Sequence, residues 1–522
     1  MANWDPSYSG EKVDWYGEYI ARHAPVSVSW LQQPRIEGGA VGDAREMKGV
    51  GLHHDSSGGN RVVAPLDDGG VCLWDLGYEH ETEESDKSRR GAIIARSRAG
   101  LLSINGGRGD TEPNPSGSKS KMVSTGVVEC VSIDNFRNKA YIAVQSGLNE
   151  VDLNTLQVSH HERYPFSISA LSAATFPTPL TVGTTLSLHL HDPRRSSNSY
   201  WSENNCEDRV DTVAKFPAAP HIRDDFYRLL SGDVPPEYAS LFQPGPLAIH
   251  HISSEGSGQI YVAGRFPSLL VYDRRYFPKL QKTIHSGARL CSLVSLPYLW
   301  ESRERSRLRQ NRASSQDGKE CKSLPGNTLV ACGEYNGKGS LEMYGIPAEG
   351  GSPPVESYKD LTYKNRVSAS RTKLLSVALH GTRLVVSDGD GQIRWLERDG
   401  SSLVRRWNIN QAIERTEVSG IFNTSVMEAG RGDVARKLLP TNANLDGGHL
   451  DRDELLLWTG ERIGVLAFKS KPQFEEDDWE ELMSAEEEAK RKEERIYGQT
   501  MRRALERQAD EVRFVRGLGL GP

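Results

Sequence analysis

Hydrophobic positions in this 522-residue chain come in paired short runs, each pair joined by a turn of small residues and usually closed by an aspartate. The clearest copy runs from Val62 to Asp75. Val62-Val63-Ala64 is one run, Asp67-Asp68-Gly69-Gly70 the turn, and Val71-Cys72-Leu73-Trp74 the second run. Asp-Gly and Gly-Gly supply the positive φ angles of a tight hairpin. Six further copies span Tyr141 to Asp152, Leu180 to Asp192, Ile260 to Asp273, Leu329 to Gly345, Leu384 to Leu396 and Leu455 to Phe468. Runs such as Leu269-Leu270-Val271-Tyr272 do not alternate with polar residues, which predicts strands buried on both faces.

Most copies have another apolar run upstream: Val127 to Ile133, Leu247 to Ile252, Leu290 to Val294, Leu374 to Leu379. A fourth strand is expected just after the closing position, as in Leu153 to Val158 or Leu403 to Trp407. A unit of four short antiparallel strands cannot bury its faces alone, so the copies must stack into one closed object. The fold class expected is all-β: a seven-bladed β-propeller. Its span is residues 46–470, preceded by a helix and linker over 1–45 and followed by a charged helix and flexible tail over 471–522.

The repeats resemble degenerate WD repeats. Trp74-Asp75 is the literal Trp-Asp. Val151-Asp152, His191-Asp192 and Tyr272-Asp273 keep the aspartate, whereas Tyr344-Gly345, Trp395-Leu396 and Ala467-Phe468 lose it. The hydrogen-bonded networks that pin regular blades are therefore expected to be incomplete. At the N-terminus Trp15-Tyr16-Gly17-Glu18-Tyr19-Ile20-Ala21-Arg22-His23 reads as a short helix, followed by Pro25 and Trp30-Leu31. This helix and Trp-containing linker resemble the segment after the F-box in fungal F-box/WD-repeat proteins. An F-box would be expected before Trp15, but the fourteen residues there include no leucine, so the chain resembles the family's substrate-side portion, with either an upstream F-box or a lost ligase link as the alternatives. The resemblance implies the substrate-recognition part of a cullin-type ubiquitin ligase receptor. The Skp adaptor and cullin would be partners only through an upstream F-box. The alternative is a ligase-independent scaffold subunit.

Several blades carry inserts longer than a minimal ~40–45-residue repeat allows: Glu79 to Arg90, Asn105 to Lys121, Arg194 to Gly245, Glu301 to Asn327, Pro347 to Arg371 and Ala429 to Asp453. In propellers such inserts often build the binding face. From Glu475 to Arg516 the chain is acidic first and basic later, the order that suits a helix macrodipole. Tyr497, Met501 and Leu505 form a narrow apolar stripe there, expected to pack back on the propeller or to protrude from it.

Composition changes this picture little. Fifty glycines and 26 prolines suit a turn-rich protein, and a net charge of −6 gives no general attraction to nucleic acid or acidic membranes. No apolar stretch reaches the roughly 20 residues of a membrane span, and Met1 to Pro6 has no secretory character. The six cysteines include no CxxC pair, which predicts a reducing setting, cytoplasmic or nuclear.

Candidate chemistry is sparse. No GxSxG, HExxH, Walker A or strand-linked GxGxxG motif is present, and the glycines of Gly381 to Gly391 lie in a hairpin. His53-His54, His160-His161 and His250-His251 are the conspicuous pairs. Strand neighbours point to opposite faces, so no pair can chelate a metal unaided. His189 and His191 share a face, but no further ligand accompanies them. The arginines from Arg303 to Arg312 read as a solvated loop or an interaction patch. Two Arg-Gly-Asp triplets, at 108–110 and 431–433, read as coincidence, and Asp67, Asp68, Asp388 and Asp390 as turn residues. The reading is therefore a non-enzymatic platform for protein or peptide partners, with no cofactor, metal or catalytic residue assigned.

Overall fold

A computed structural model describes residues 13–35, 44–54, 59–78, 90–102, 130–194, 238–241, 245–252, 258–300, 326–347, 361–412, 433–441 and 454–469. They form seven four-stranded antiparallel sheets, one α-helix, α1 (Trp15–His23), and two short 3-10 turns. Six blades are continuous in sequence. Blade 1 is β2 (Gly51–His54), β3 (Gly59–Pro65), β4 (Val71–Tyr78) and β5 (Ile93–Arg96). Blade 2 is β6 (Val131–Asp134), β7 (Lys139–Val144), β8 (Gly147–Asp152) and β9 (Gln157–Arg163). Blade 3 is β10 (Ile168–Leu171), β11 (Leu180–Thr184), β12 (Ser187–His191) and β13 (Ala239–Ser240). Blade 4 is β14 (Pro246–His251), β15 (Gln259–Gly264), β16 (Ser268–Asp273) and β17 (Leu280–His285). Blade 5 is β18 (Arg289–Leu296), β19 (Gly326–Tyr335), β20 (Lys338–Pro347) and β21 (Thr362–Ser370). Blade 6 is β22 (Leu374–His380), β23 (Arg383–Asp388), β24 (Gln392–Glu397) and β25 (Leu403–Asn408).

Blade 7 is assembled from both ends of the chain. β26 (Lys437–Pro440), β27 (Leu455–Trp458) and β28 (Ile463–Ala467) take β1 (Ser27–Trp30) as their fourth strand, with Ser27 opposite Ala467 and Trp30 opposite Gly464. The stretch that reads as a linker in sequence thus closes the ring. Its strand character depends on a partner near the other end of the chain, so no local pattern announces it.

Seven apolar cores result, each shared by two neighbouring blades. Alternation decides which. In β27, Leu456 and Trp458 pack toward blade 1 with Val62, Leu66 and Trp74. Leu455 and Leu457 pack toward blade 6 with Val385, Ile393 and Trp395. Both faces of the run are buried, which is why it carries no polar alternation.

Each junction is also crossed by a side-chain hydrogen bond. His53 meets Asn138 at 3.0 Å between blades 1 and 2. Ser132 donates to the Ser172 carbonyl and accepts from the Ala174 N–H between blades 2 and 3, both at 2.8 Å. Thr181 meets His251 at 2.9 Å and His250 meets Ser295 at 2.8 Å across the next two junctions. The Val377 N–H donates to Ser292 and the Leu438 N–H to Ser376, at 3.2 and 3.1 Å. At the closing junction the Trp458 indole donates to the Met47 carbonyl at 2.8 Å. These contacts satisfy polar groups that would otherwise be buried without partners.

Three strands lie inside stretches that read as inserts. β13 falls within Arg194 to Gly245, β21 within Pro347 to Arg371 and β26 within Ala429 to Asp453. β13 has two residues, and β21 is mostly polar. Pairing with a preceding strand defines both, not their own hydrophobicity. The fourth strand of blade 2 likewise starts at Gln157 rather than at Leu153. Asp152 first caps a turn, its carboxylate accepting the Asn154 N–H at 2.8 Å.

Candidate interaction face

Antiparallel alternation gives the ring two unlike faces. The second-to-third-strand hairpins and the links to the next blade emerge on one, called here the hairpin face. The first-to-second and third-to-fourth connections emerge on the other. The segments 79–89, 195–237, 301–325, 348–360 and 442–453 are each bracketed by strand ends on that second face, which is called the insert face below, whereas 103–129 and 413–432 are bracketed on the hairpin face. The arginines between Arg303 and Arg312 and the triplet at 108–110 lie outside the described residues, as does the expected helix over 475–516.

The closing aspartates build the insert face. Asp75, Asp152, Asp192 and Asp273 each accept the backbone N–H two residues on, at 2.8 to 3.0 Å. An aspartate can cap its own turn in this way, so it ends the third strand and starts the connection. In blades 3 and 4 the same carboxylates also grip the arginine at that second position, Arg194 and Arg275. Hydrogen bonding from Arg275 holds the Asp273 carboxyl below the usual range.

Blades 5, 6 and 7 lack this aspartate, and α1 sits over the last two. Asp14 caps the helix by accepting the Tyr16 N–H at 3.0 Å. The next polar side chains face the propeller. Glu18 accepts from Thr382 at 2.6 Å and lies 3.4 Å from the Arg383 guanidinium. Arg22 reaches both carboxylate oxygens of Glu397, at 2.5 and 3.1 Å. Arg383 and Arg405 donate to the Ala21 carbonyl at 3.1 and 2.7 Å, and Arg405 also reaches that of Ala24. Phe468 lies beneath these cations, its ring centre 5.8 Å from the Arg383 guanidinium carbon and 5.3 Å from that of Arg405. Burial would push the Glu18 carboxyl up, but Arg383, Thr382 and Arg22 outweigh it and hold it below its ordinary value. Burial brings Arg383 down to about 10, with Glu18 opposing the shift. The helix is legible in sequence, whereas its seat is not.

Exposure separates by chemistry. Among the described residues, the large aromatic side chains left open are Trp15, Tyr16, Tyr19, Phe136 and Tyr276. All five lie on α1 or on insert-face connections. Phe136 stacks on Phe176 at 5.1 Å, and Arg137 lies 5.7 Å from the same Phe176 ring, so blades 2 and 3 share an aromatic–cation platform. The open aliphatic side chains Ile94, Leu280, Val367 and Leu403 instead sit on the outermost strands of blades 1, 4, 5 and 6. Exposed aromatics interleaved with arginine are the composition of a protein-binding surface.

The candidate histidines are dispersed. His250 bonds toward blade 5 and His251 toward blade 3, the opposite directions that strand geometry demands. His54 is held by Asn60 and His161 by Asn149, while His160 pairs with Glu162. His189 bonds Ser187 at 2.8 Å and packs between Tyr164 and Tyr238. Burial lowers His250 to about 4 and His189 to about 3. Among the described residues no group of three or more His, Cys, Asp or Glu is arranged to hold a metal ion. Asp68 takes Gly70 and Arg96, Asp388 takes Asp390, Gln392 and Ser370, and Asp433 pairs with Arg462. None of these forms a carboxylate dyad. No described helix is long and apolar enough to cross a membrane.

Neither the protein-family models nor the curated proteins include a match to this chain.

Proposed function

We propose that this β-propeller is a non-catalytic protein-interaction platform whose working surface is the insert face. The observation that carries this reading is the segregation of exposed aromatics onto that face. A rigid ring presenting variable connections suits recognition of a protein or peptide. The finer reading is that the chain is the substrate-recognition portion of an F-box-type ligase receptor. It rests on the likeness of Trp15 to Leu31 to the post-F-box segment, and it would make the Skp adaptor and cullin partners through an F-box. The alternative is a ligase-independent scaffold subunit. Either role places the protein in the cytoplasm or nucleus.

The test compares the full chain with a Phe136→Glu/Tyr276→Glu variant, each purified from its native cells with its associated proteins. Both positions are surface, so the circular dichroism of the fold is expected to be unchanged and partners to be lost. An identical partner set from both proteins would refute the insert-face reading. A Skp adaptor and cullin among the lost or retained partners would select the ligase reading, and their absence the scaffold.

A further inference from the structure

Helix α1 is held by its polar side. Of its nine residues the fully buried one is Glu18, while Trp15, Tyr16, Tyr19 and His23 face solvent. A helix ordinarily meets its core through an apolar face, and here charge makes the contact. Nine residues are also too few for a helix to persist in water alone, so α1 keeps its form only while it is seated.

The seat belongs to the ring and not to the helix. Arg383 on β23 stands opposite Glu397 on β24, and Trp395 on β24 opposite Arg405 on β25, so the ladder of blade 6 sets all four positions. Trp395 and Glu397, two apart on one strand, share a face. Phe468 from blade 7 packs edge-on against Trp395 at 5.9 Å. The Arg405 guanidinium carbon lies 5.6 Å from the centre of the Trp395 ring and 5.3 Å from that of Phe468, and Arg383 lies over Phe468 as well. Cation–π contacts thus orient both guanidiniums from below. All of these contacts are made within blades 6 and 7, so the seat does not owe its shape to α1.

What the seat reads in α1 is specific. Thr382 and Arg383 take the Glu18 carboxylate, and Glu397 takes the Arg22 guanidinium on both oxygens, one helical turn further on. Arg383 and Arg405 take the carbonyl of Ala21. In a continuing helix that carbonyl would accept the N–H of residue 25, and Pro25 has none. Arg405 also takes the carbonyl of the C-cap residue Ala24. The recognised features are a carboxylate, a guanidinium four residues later, and the open carbonyls of a helix that ends at a proline.

We propose that blades 6 and 7 carry a binding site for a helix of this pattern, with α1 as its resident occupant, and that a partner protein's helix with Glu or Asp four residues before Arg and a proline-ended C-terminus takes its place. Only residues 24–26 join α1 to β1, so the effective concentration of α1 at the seat is high. A partner helix meets only the fraction of molecules whose α1 is off, and its apparent affinity is reduced by that fraction. The site lies on other blades than Phe136 and Tyr276, and the inference stands whether or not those two residues hold a partner.

The full chain carrying Glu18→Lys/Arg22→Glu tests this, with a fluorescein-labelled peptide of residues 13–26 as the probe and fluorescence anisotropy as the readout. Amide exchange across 15–23 should rise at least about tenfold in the variant while β23 and β24 keep theirs. The probe should bind the variant at least about tenfold more tightly than the unaltered chain, whose seat is filled. A probe carrying the same two reversals should not bind. Where the double reversal disturbs the blades, Glu18→Gln serves in its place, with changes in the same direction. Unaltered exchange over α1 would overturn the charged seat. A freely exchanging α1 with no gain in probe binding would overturn the displacement. Probe binding undiminished by a further Arg405→Gln change would place the peptide elsewhere and refute the site.

Discussion

The junction that closes the ring and the two junctions around blade 4 solve one problem by different means. Between blades 7 and 1 the contact is mainly apolar. Leu31, Met47, Val62, Trp74, Leu456, Trp458 and Ile463 form a single core, with the Trp458 indole bonded to a backbone carbonyl. Blade 4 also has apolar cores on both sides, but its innermost strand adds a histidine toward each neighbour, His251 to Thr181 and His250 to Ser295. The polar links that also cross the closing seam, the Arg90–Glu454 ion pair and Lys437 to the Val50 carbonyl, involve no histidine, so this seam should change little between pH 7 and pH 5. A junction bridged by desolvated imidazoles holds only while they stay neutral. Two seams of similar shape should therefore fail under different conditions.

The largest effect is expected at the apolar seam. Trp458→Ala removes a side chain that is 3% exposed, and should cost about 3–5 kcal/mol through lost burial and the cavity left behind. Urea denaturation should show the same loss at pH 7 and pH 5. A loss that varied strongly between those pH values would erase the contrast.

Acid should act on the other seam. His250 is lowered from 6.5 to about 4 by desolvation, and His251 is also held well below its ordinary value, by desolvation first and then by Arg274 and His250. Between those limits the unfolded chain binds protons that the fold does not. For His250 the stabilising contribution is complete above pH 6.5 and is lost as the pH falls toward 4, at up to about 1.4 kcal/mol per pH unit, and His251 acts in the same direction. The part of the pH 7 to 4.5 loss in unfolding free energy that disappears in a His250→Gln variant should have that slope, since His189 adds its own. Amide exchange should rise first in β14. A flat profile would mean that the two imidazoles are solvated.

The smallest effect sharpens the comparison at a single bond. Ser295→Ala deletes the partner of His250 and should cost about 1 kcal/mol, measurable as a shift in the denaturation midpoint. A cost as large as that of Trp458→Ala would make the polar bridge, rather than the apolar core, the chief support of that seam.

What sequence reveals about this ring follows from distance along the chain. The hairpins are legible because turn chemistry is local: Asp68 accepts the Gly70 N–H two positions away, and Gly69 takes a φ of 77°. Strands defined by their partners are not. β21 reads as a polar insert, and β1 as a linker, because each owes its conformation to a neighbour rather than to its own pattern. The inter-blade bonds are hidden for the same reason, and nothing near Ser292 signals Val377. The candidate face was partly visible. The closing aspartates mark where its connections begin, but their absence does not locate α1, since Gly345 lacks one as Leu396 and Phe468 do and the helix sits only at the latter two. Phe136 and Tyr276 carry no comparable signal, since only the three-dimensional arrangement shows them open on the same side.

The shared blade also sets a schedule for biogenesis. Ser27 pairs with Ala467, roughly 440 positions later. At about 5–20 residues per second, a ribosome would release β1 some 20–90 s before its partner exists. Throughout that interval an unpaired strand is a template for wrong pairing, and brevity is a common protection against it. β1 has four residues, Ser-Val-Ser-Trp, two of them serines. The segment that completes the ring is made long before its partner and used last, and it is short and polar enough to wait.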